Sequence, residues 1–324
     1  MDIRLTWTIT ILVTYVIGII IFNPLLEKLR NKGFVGRDMY KKGHPRIPEM
    51  GGIGIAFAFL AGFLLLSVFT EIPYVAYLSV FVLMLYFLFG LLDDLLGIGG
   101  IKDVSYRKLI KIVIPLFFAF PLMNFSSDSV DIPYLGELYL GFFYPWIFLP
   151  VFIMVTSNLM NMYSYYNGQS AGTTVIVLFF LSMKLYSQGH MDIFYIIIPF
   201  LGATLAFLSY NVQPAGVFPG DSGDMLMGAA IGIVGVLSGY EAFVFIALLP
   251  LIINFLMVAA WFVEARGDLK VKFGDVRKDD TINPPNAKTL MWFFPSYIHL
   301  TERQTTVIMY ILVLISSFTA WILF

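Results

Sequence analysis

A helix needs about 20 predominantly apolar residues to cross the hydrocarbon core of a bilayer, and chain within that core must satisfy its backbone hydrogen bonds internally. Ten stretches meet or approach this length, at about 5–22, 52–69, 74–92, 108–123, 145–163, 171–186, 192–209, 224–238, 241–263 and 304–323. The runs at 108–123 and 224–238 are short and are the weakest members of the count. Asn23-Pro24 follows the first run without a small-residue cleavage pattern, which reads as a retained span rather than a signal peptide. The expected fold is an all-α polytopic membrane protein of about ten transmembrane helices, forming one integral membrane domain over residues 1–324. Composition agrees: 13% of the residues are charged, against roughly 25% in a soluble globular domain. With 20 basic and 21 acidic residues the chain has no overall pull toward nucleic acid. The absence of cysteine excludes disulfides, thiol nucleophiles and cysteine metal sites.

The position of the basic residues tests the count independently. Alternate loops at about 23–50, 93–107 and 264–303, with their flanks, hold 18 of the 20 Lys and Arg, leaving Arg4 and Lys184 for the opposite face. The positive-inside bias puts these loops, and the shorter ones at 164–171 and 210–223, in the cytoplasm, with both termini extracytoplasmic. Fourteen of the 21 acidic residues lie on the same face, and no Asp, Glu, Lys, Arg or His sits near the middle of a run. Transporters usually place polar groups at the midplane. A polar layer at the cytoplasmic boundary instead suits one soluble substrate and one lipid head group.

Four constellations occupy this layer. Asp93-Asp94 ends the third run, where adjacent carboxylates are costly to desolvate and call for a metal, a lysine or a proton, unless they form a plain acidic helix end in water. Lys108, at the start of the next helix, can return to that surface and meet a phosphate. Asn158 and Asn161 share a helix face at the end of the fifth run. Their amides suit Mg²⁺, phosphate or uracil, or else join helices. Asn167 and Gly168 follow in a turn that allows close approach to a ligand. Gly220-Asp221-Ser222-Gly223-Asp224 opens the eighth run and offers backbone donors beside a carboxylate, for a metal-held phosphate or for a helix cap. The segment 36–52 holds Arg37, Asp38, Met39, Lys41, Lys42, Arg46 and Glu49. Its cations are topology determinants or ligand contacts, whereas Glu49, between Pro48 and the Gly51-Gly52 pair, requires a partner. Carboxylates, amides and cations gathered on one membrane face fit phosphoryl transfer, in which catalysis is mainly positioning and charge neutralisation.

In order and over nearly the whole chain, these motifs resemble the polyprenyl-phosphate N-acetylhexosamine-1-phosphate transferases, glycosyltransferase family 4. Gly36-Arg-Asp-Met39 followed by Arg46-Ile-Pro-Glu49, the Asn158 to Gly172 run, and Tyr297-Ile-His299-Leu-Thr-Glu302-Arg303 are similar to the archaeal and eukaryotic UDP-GlcNAc–dolichyl-phosphate GlcNAc-1-phosphate transferase branch. The bacterial MraY and WecA enzymes are more distant relatives. The resemblance implies that Asn161 and Asp221 hold Mg²⁺ or Mn²⁺, that Asp93 and Asp94 form the acidic pair, and that Lys108 touches phosphate. It further implies that Asn167 and Phe218 frame the uridine or sugar nucleotide, with Arg37, Asp38, Met39 and Glu49 lining the same pocket. Asn158 and Gly168 join this set, the segment 154–162 facing the lipid phosphate. In the last loop Lys270 and Lys272, or Arg266 and Arg277, would hold the pyrophosphate and sugar.

Departures refine the expectation. Bacterial members carry Asp where Ser164 and Asn167 stand, and a histidine-rich motif missing from the last loop here, which disfavours a muramyl-pentapeptide substrate and favours UDP-GlcNAc. Lysines stand in that loop where the eukaryotic enzymes have arginines, so an archaeal relative in the plasma membrane is expected. The implied reaction transfers GlcNAc-1-phosphate from UDP-GlcNAc to a polyprenyl, dolichyl-type phosphate, releasing UMP, as the first membrane step of lipid-linked glycan synthesis. The alternatives are a bacterial-type undecaprenyl-phosphate transferase and, against the lack of midplane charge, a nucleotide-sugar transporter. No nucleic-acid partner is expected, and the sequence leaves room for a homodimer.

Overall fold

The computed structural model describes residues 3–96, 104–267, 269, 271 and 273–324, with residues 3 and 104–108 described by their backbone alone. Among them, eight helices are long and apolar enough to cross a membrane. These are α1 (Ile3–Asn31), α2 (Gly52–Phe69), α3 (Tyr74–Leu96), α5 (Leu149–Tyr163) with the π turn Tyr144–Phe148 before it, α6 (Gln169–Gln188), α7 (Phe194–Asn211), α8 (Gly220–Ser238) and α12 (Glu302–Leu323).

The other two runs take different forms. Residues 241–263 become α9 (Glu241–Ala247) and α10 (Leu249–Glu264), bent by 65° at a break whose second helix opens with Pro250. Proline lacks the N–H that would continue the helical ladder, so an unbroken apolar run need not be a straight span. Residues 108–123 become α4 (Val104–Phe118), of which Leu109–Phe118 is the described apolar part, continued by a 3₁₀ turn at Phe120–Phe125. The expected ten thus resolve into eight spans, one bent span and one short apolar helix. By contrast the weak run at 224–238 is extended to 19 residues because the helix begins at Gly220.

Helix α1 runs past Pro24 to Asn31, into what was expected to be loop. Phe22 and Leu29 stay buried while Glu27, Lys28 and Arg30 stay exposed, so the extension is an amphipathic turn lying on the body. The large loops are not purely irregular either. An antiparallel hairpin joins β1 (Val35–Arg37) to β2 (Arg46–Pro48), with Gly36 opposite Ile47. Others join β3 (Ser129–Ile132) to β4 (Gly136–Tyr139) and β5 (Asp275–Val276) to β6 (Ile282–Asn283), and α11 (Leu290–Tyr297) follows the last of them.

Helix α8 is the axis of the bundle: 83% of its span window is buried, against 22% in α1. It packs on α3, α5, α2 and α6. In lipid the gain from such contacts comes from close packing rather than from expelling water. The consequence is positional: the first turn of α8 is held among the same helix ends that carry Asp93, Asp94 and Asn161.

Candidate active site

The start of α8 is fixed from another span. Asp94, on the last turn of α3, accepts hydrogen bonds from the Asp221 N–H (2.7 Å), the Ser222 N–H (3.0 Å) and the Ser222 hydroxyl (2.6 Å). Free N–H groups and the positive end of the helix dipole make a helix N-terminus a good anion site. Here that anion is a side chain of the protein itself, so the expected phosphate cradle at Gly220–Gly223 is already filled. Two glycines make the approach possible. A Cβ on Gly90 would come within 2.5 Å of the Asp221 carbonyl oxygen, and one on Gly220, at φ +69°, within 2.5 Å of the Asp94 carboxylate.

With its amide bound to Asp94, Asp221 projects its carboxylate into a polar cluster. Asn161 Nδ2 donates to Asp221 Oδ1 at 2.6 Å, and Lys111 Nζ lies 2.5 Å from Asp221 Oδ2. Lys111 also pairs with Asp93, which is 4% exposed. One ammonium therefore serves two carboxylates from different spans, the arrangement expected where two like charges would otherwise face each other in a poorly solvated site. Asp93, Asp221 and the amide oxygen of Asn161 are hard oxygen donors, which suit Mg²⁺ or Mn²⁺. Among the described residues there is no group of three or more His, Cys, Asp or Glu able to cage a metal. The donor set fits an ion that takes its remaining ligands from substrate phosphates and water, as Mg²⁺ commonly does.

Beside this cluster opens a cavity of about 210 Å³ whose lining includes Arg37, Asp38, Met39, Glu49, Asn167 and Phe218. The family resemblance implies one pocket for these six, which come from three separate segments. Phe273, from the last basic loop, also lines it. The volume lies below the roughly 300–1,000 Å³ of sites that enclose a whole drug-sized ligand, so it would take in only part of a larger ligand. Asp38 Oδ2 accepts from Asn167 Nδ2 at 3.0 Å. The next residue, Gly168, is held by Asn211 through its N–H (3.0 Å) and by Tyr310 through its carbonyl (2.6 Å). Among the described residues no basic side chain pairs with Glu49, and burial together with the charges of Asp94 and Asp221 raises its pKa above the ordinary glutamate value.

Other expected site residues lie elsewhere. Asn158 donates to the carbonyls of Met154 (2.9 Å) and Lys111 (3.4 Å), which joins α5 to α4. Arg277 bonds to Thr281 and to the Ile282 carbonyl within its own hairpin, and Arg266 sits in the turn after α10 with φ +50°. Neither lines the cavity. Lys270, Lys272 and the side chain of Lys108 lie outside the described residues. The sequence reading chose Lys108 and passed over Lys111, although their separation of three places them on one face of α4.

Comparison with known proteins gives the family. The profile of glycosyl transferase family 4 matches residues 75–239, the segment from α3 to α8 that carries Asp93, Asp94, Lys111, Asn161, Asn167 and Asp221. The chain belongs to glycosyl transferase family 4. A relative from Saccharolobus solfataricus, carrying the name UDP-N-acetylglucosamine–dolichyl-phosphate N-acetylglucosaminephosphotransferase, is 31% identical over 76% of this chain and 76% of its own length. A Sulfolobus acidocaldarius relative of the same name is 30% identical over 78% and 77%. A phospho-N-acetylmuramoyl-pentapeptide-transferase from Geobacillus is 32% identical over 72% and 75%. This family member is thus a multi-pass membrane enzyme, a glycosyl-1-phosphate transferase.

Proposed function

We propose that this enzyme transfers GlcNAc-1-phosphate from UDP-GlcNAc to a dolichyl-type polyprenyl phosphate, on the cytoplasmic face of the plasma membrane. The observation that carries the reading is the Asp93–Lys111–Asp221–Asn161 cluster placed next to the cavity lined by Asp38, Glu49, Asn167 and Phe218. The names of the two archaeal relatives point to the same pair of substrates.

An oxygen of the lipid phosphate attacks the β-phosphorus of the donor. The bond from that phosphorus to the bridging oxygen breaks, and UMP leaves with the bridging oxygen. Asp93 orients the lipid phosphate and takes its proton where one is present. Lys111, already between two carboxylates, is placed to neutralise charge on the transferring phosphoryl group. Asp94 acts at one remove, holding the first turn of α8 so that Asp221 faces Asn161. Phe218 and Asn167 frame the uridine, with Arg37, Asp38, Met39 and Glu49 around them. Asn161 and Asp221, with Asp93 adjacent, would hold Mg²⁺, which when bound supplies further neutralisation of the pyrophosphate. The isoprenoid tail stays in the bilayer, which is why the reaction belongs to a membrane-embedded enzyme.

Purified protein supplied with UDP-GlcNAc, Mg²⁺ and a defined dolichyl phosphate should yield polyprenyl-diphosphate-GlcNAc. A panel of UDP-sugars crossed with dolichyl and undecaprenyl phosphates separates this reading from a bacterial-type transferase. Preference for UDP-muramyl-pentapeptide with undecaprenyl phosphate would contradict it.

A further inference from the structure

Two residues of the singled-out motifs, Lys41 and Glu302, have no part in the chemistry above yet join it at one point. Glu302 is the first residue of α12, where the Thr301–Gln304 capping box already serves the helix start. Its side chain is therefore not needed as a cap, and it turns inward to 2% exposure. There one carboxylate oxygen accepts the backbone N–H of Asn167 at 2.8 Å and the other is paired with Lys41. Lys41 also lies 3.7 Å from Asp38 Oδ2, the oxygen that receives the Asn167 amide. The backbone and the side chain of Asn167 are thus held by two buried carboxylates bridged by one lysine.

A buried ion pair is a poor source of stability compared with apolar side chains of the same volume, but it fixes direction and register. Here what it fixes is one wall of the cavity, since Asp38 and Asn167 both line it. The same contact ties the last span to the turn between α5 and α6.

We propose that Lys41 and Glu302 are positioning residues that hold Asn167 and Asp38 in the arrangement that binds the uridine end of the donor. The inference rests on the reading of the cavity as a uridine nucleotide site. Removing the pair loosens that wall without touching Asp93, Lys111 or Asp221, so the loss falls on donor binding rather than on the chemical step.

The test uses the full-length protein in detergent or nanodiscs, with UMP as the binding probe and donor kinetics in parallel. Glu302→Gln and Lys41→Met should each weaken UMP binding and raise KM for the donor about tenfold, within the range that misplacement of a ligand contact produces, with the effect on kcat within about threefold. The double variant should be little worse than either single one, because both break one interaction. Lys41→Arg, which keeps the charge, should recover most of the affinity. Should Glu302→Gln fail to fold, Lys41→Met, at a position 21% exposed, decides the matter alone. Folded variants that bind UMP as tightly as wild type overturn the proposal while leaving the transferase reading intact. Wild-type protein that neither binds UMP nor turns over removes that reading, and this proposal with it.

Discussion

Asp94 on α3 accepts both the backbone N–H and the hydroxyl of Ser222 on α8, at 3.0 and 2.6 Å. The contact makes a carboxylate of one span the N-cap of another, and it sets the direction in which Asp221 leaves the helix. Asp94→Ala should destabilise the protein by about 1–2 kcal/mol, the usual effect of losing a good cap, read as a lower unfolding temperature in detergent. Activity should fall with it, because Asp221 is no longer held. A variant with unaltered stability would show that the cap is not structural.

Asp93 and Asp94 are neighbours with separate partners, Lys111 for the one and the start of α8 for the other. Asp93→Asn keeps the shape of the side chain but removes a charge that pairs with Lys111. It should reduce UMP release by a factor of about 100 or more, the scale on which a positioned acid–base group contributes, while the unfolding temperature stays close to wild type. Parallel losses of stability and turnover would assign Asp93 the same structural role as Asp94.

Lys111→Met leaves Asp93 and Asp221 without their shared cation. Breaking a buried pair from one side costs about 3 kcal/mol, so the variant should be markedly less stable in chelator than wild type. Added Mg²⁺ should stabilise it by a larger margin than it stabilises wild type, since the ion then replaces the cation that the two carboxylates shared. Unfolding curves with and without Mg²⁺ check this, and equal Mg²⁺ stabilisation of both proteins would count against the donor set assigned here.

The chain's sequence made much of this visible, and particular residues show where it stopped. Asp221 and Asn161 lie 60 positions apart and meet at 2.6 Å, as the family resemblance implied, each at the polar end of an apolar run. The six cavity residues were legible through the family resemblance, since neither spacing nor hydropathy joins their three segments. Asp94 is different: it binds backbone amides 127 and 128 positions away, and a backbone donor leaves no trace in residue type. That Lys111 reaches both Asp93 and Asp221 depends on how α4 packs against α3 and α5, which helical spacing does not give. The bend at Leu248–Leu249 depends on whether neighbours replace the hydrogen bond that Pro250 lacks. The 264–303 loop has no periodicity, so the hairpin that engages Arg277 was not to be read from it.

Glu49 gives the enzyme without ligand a pH dependence of known sign. Its folded pKa is raised by burial and by Asp94 and Asp221, so the folded state holds the proton more tightly than the unfolded one. The associated stability is fully present below the ordinary glutamate value of about 4.3 and is lost as pH rises through the folded value. Glu49→Gln should therefore flatten the fall in unfolding temperature over that window. An unchanged pH profile in the variant would show that Glu49 does not titrate in this way.

Phe218 lines the cavity and its backbone is held on both sides, by the Pro48 carbonyl and by the Gly51 N–H, each at 2.8 Å. In the proposed reading its ring is the stacking surface for the uracil. Phe218→Ala should weaken UMP binding by about 1–3 kcal/mol, the range for loss of a base–aromatic stack, measured by calorimetry. A loss confined to kcat, with UMP affinity kept, would place the uridine elsewhere.

The central claim is that the β-phosphate moves with the sugar. The direct measurement supplies UDP-GlcNAc labelled in the β-phosphate, with dolichyl phosphate and Mg²⁺, to wild-type protein and to Asp221→Ala. The account predicts labelled lipid and unlabelled UMP in equal amounts with wild type, and neither with the variant. Label remaining in released UDP, or equal product from Asp221→Ala, would contradict it.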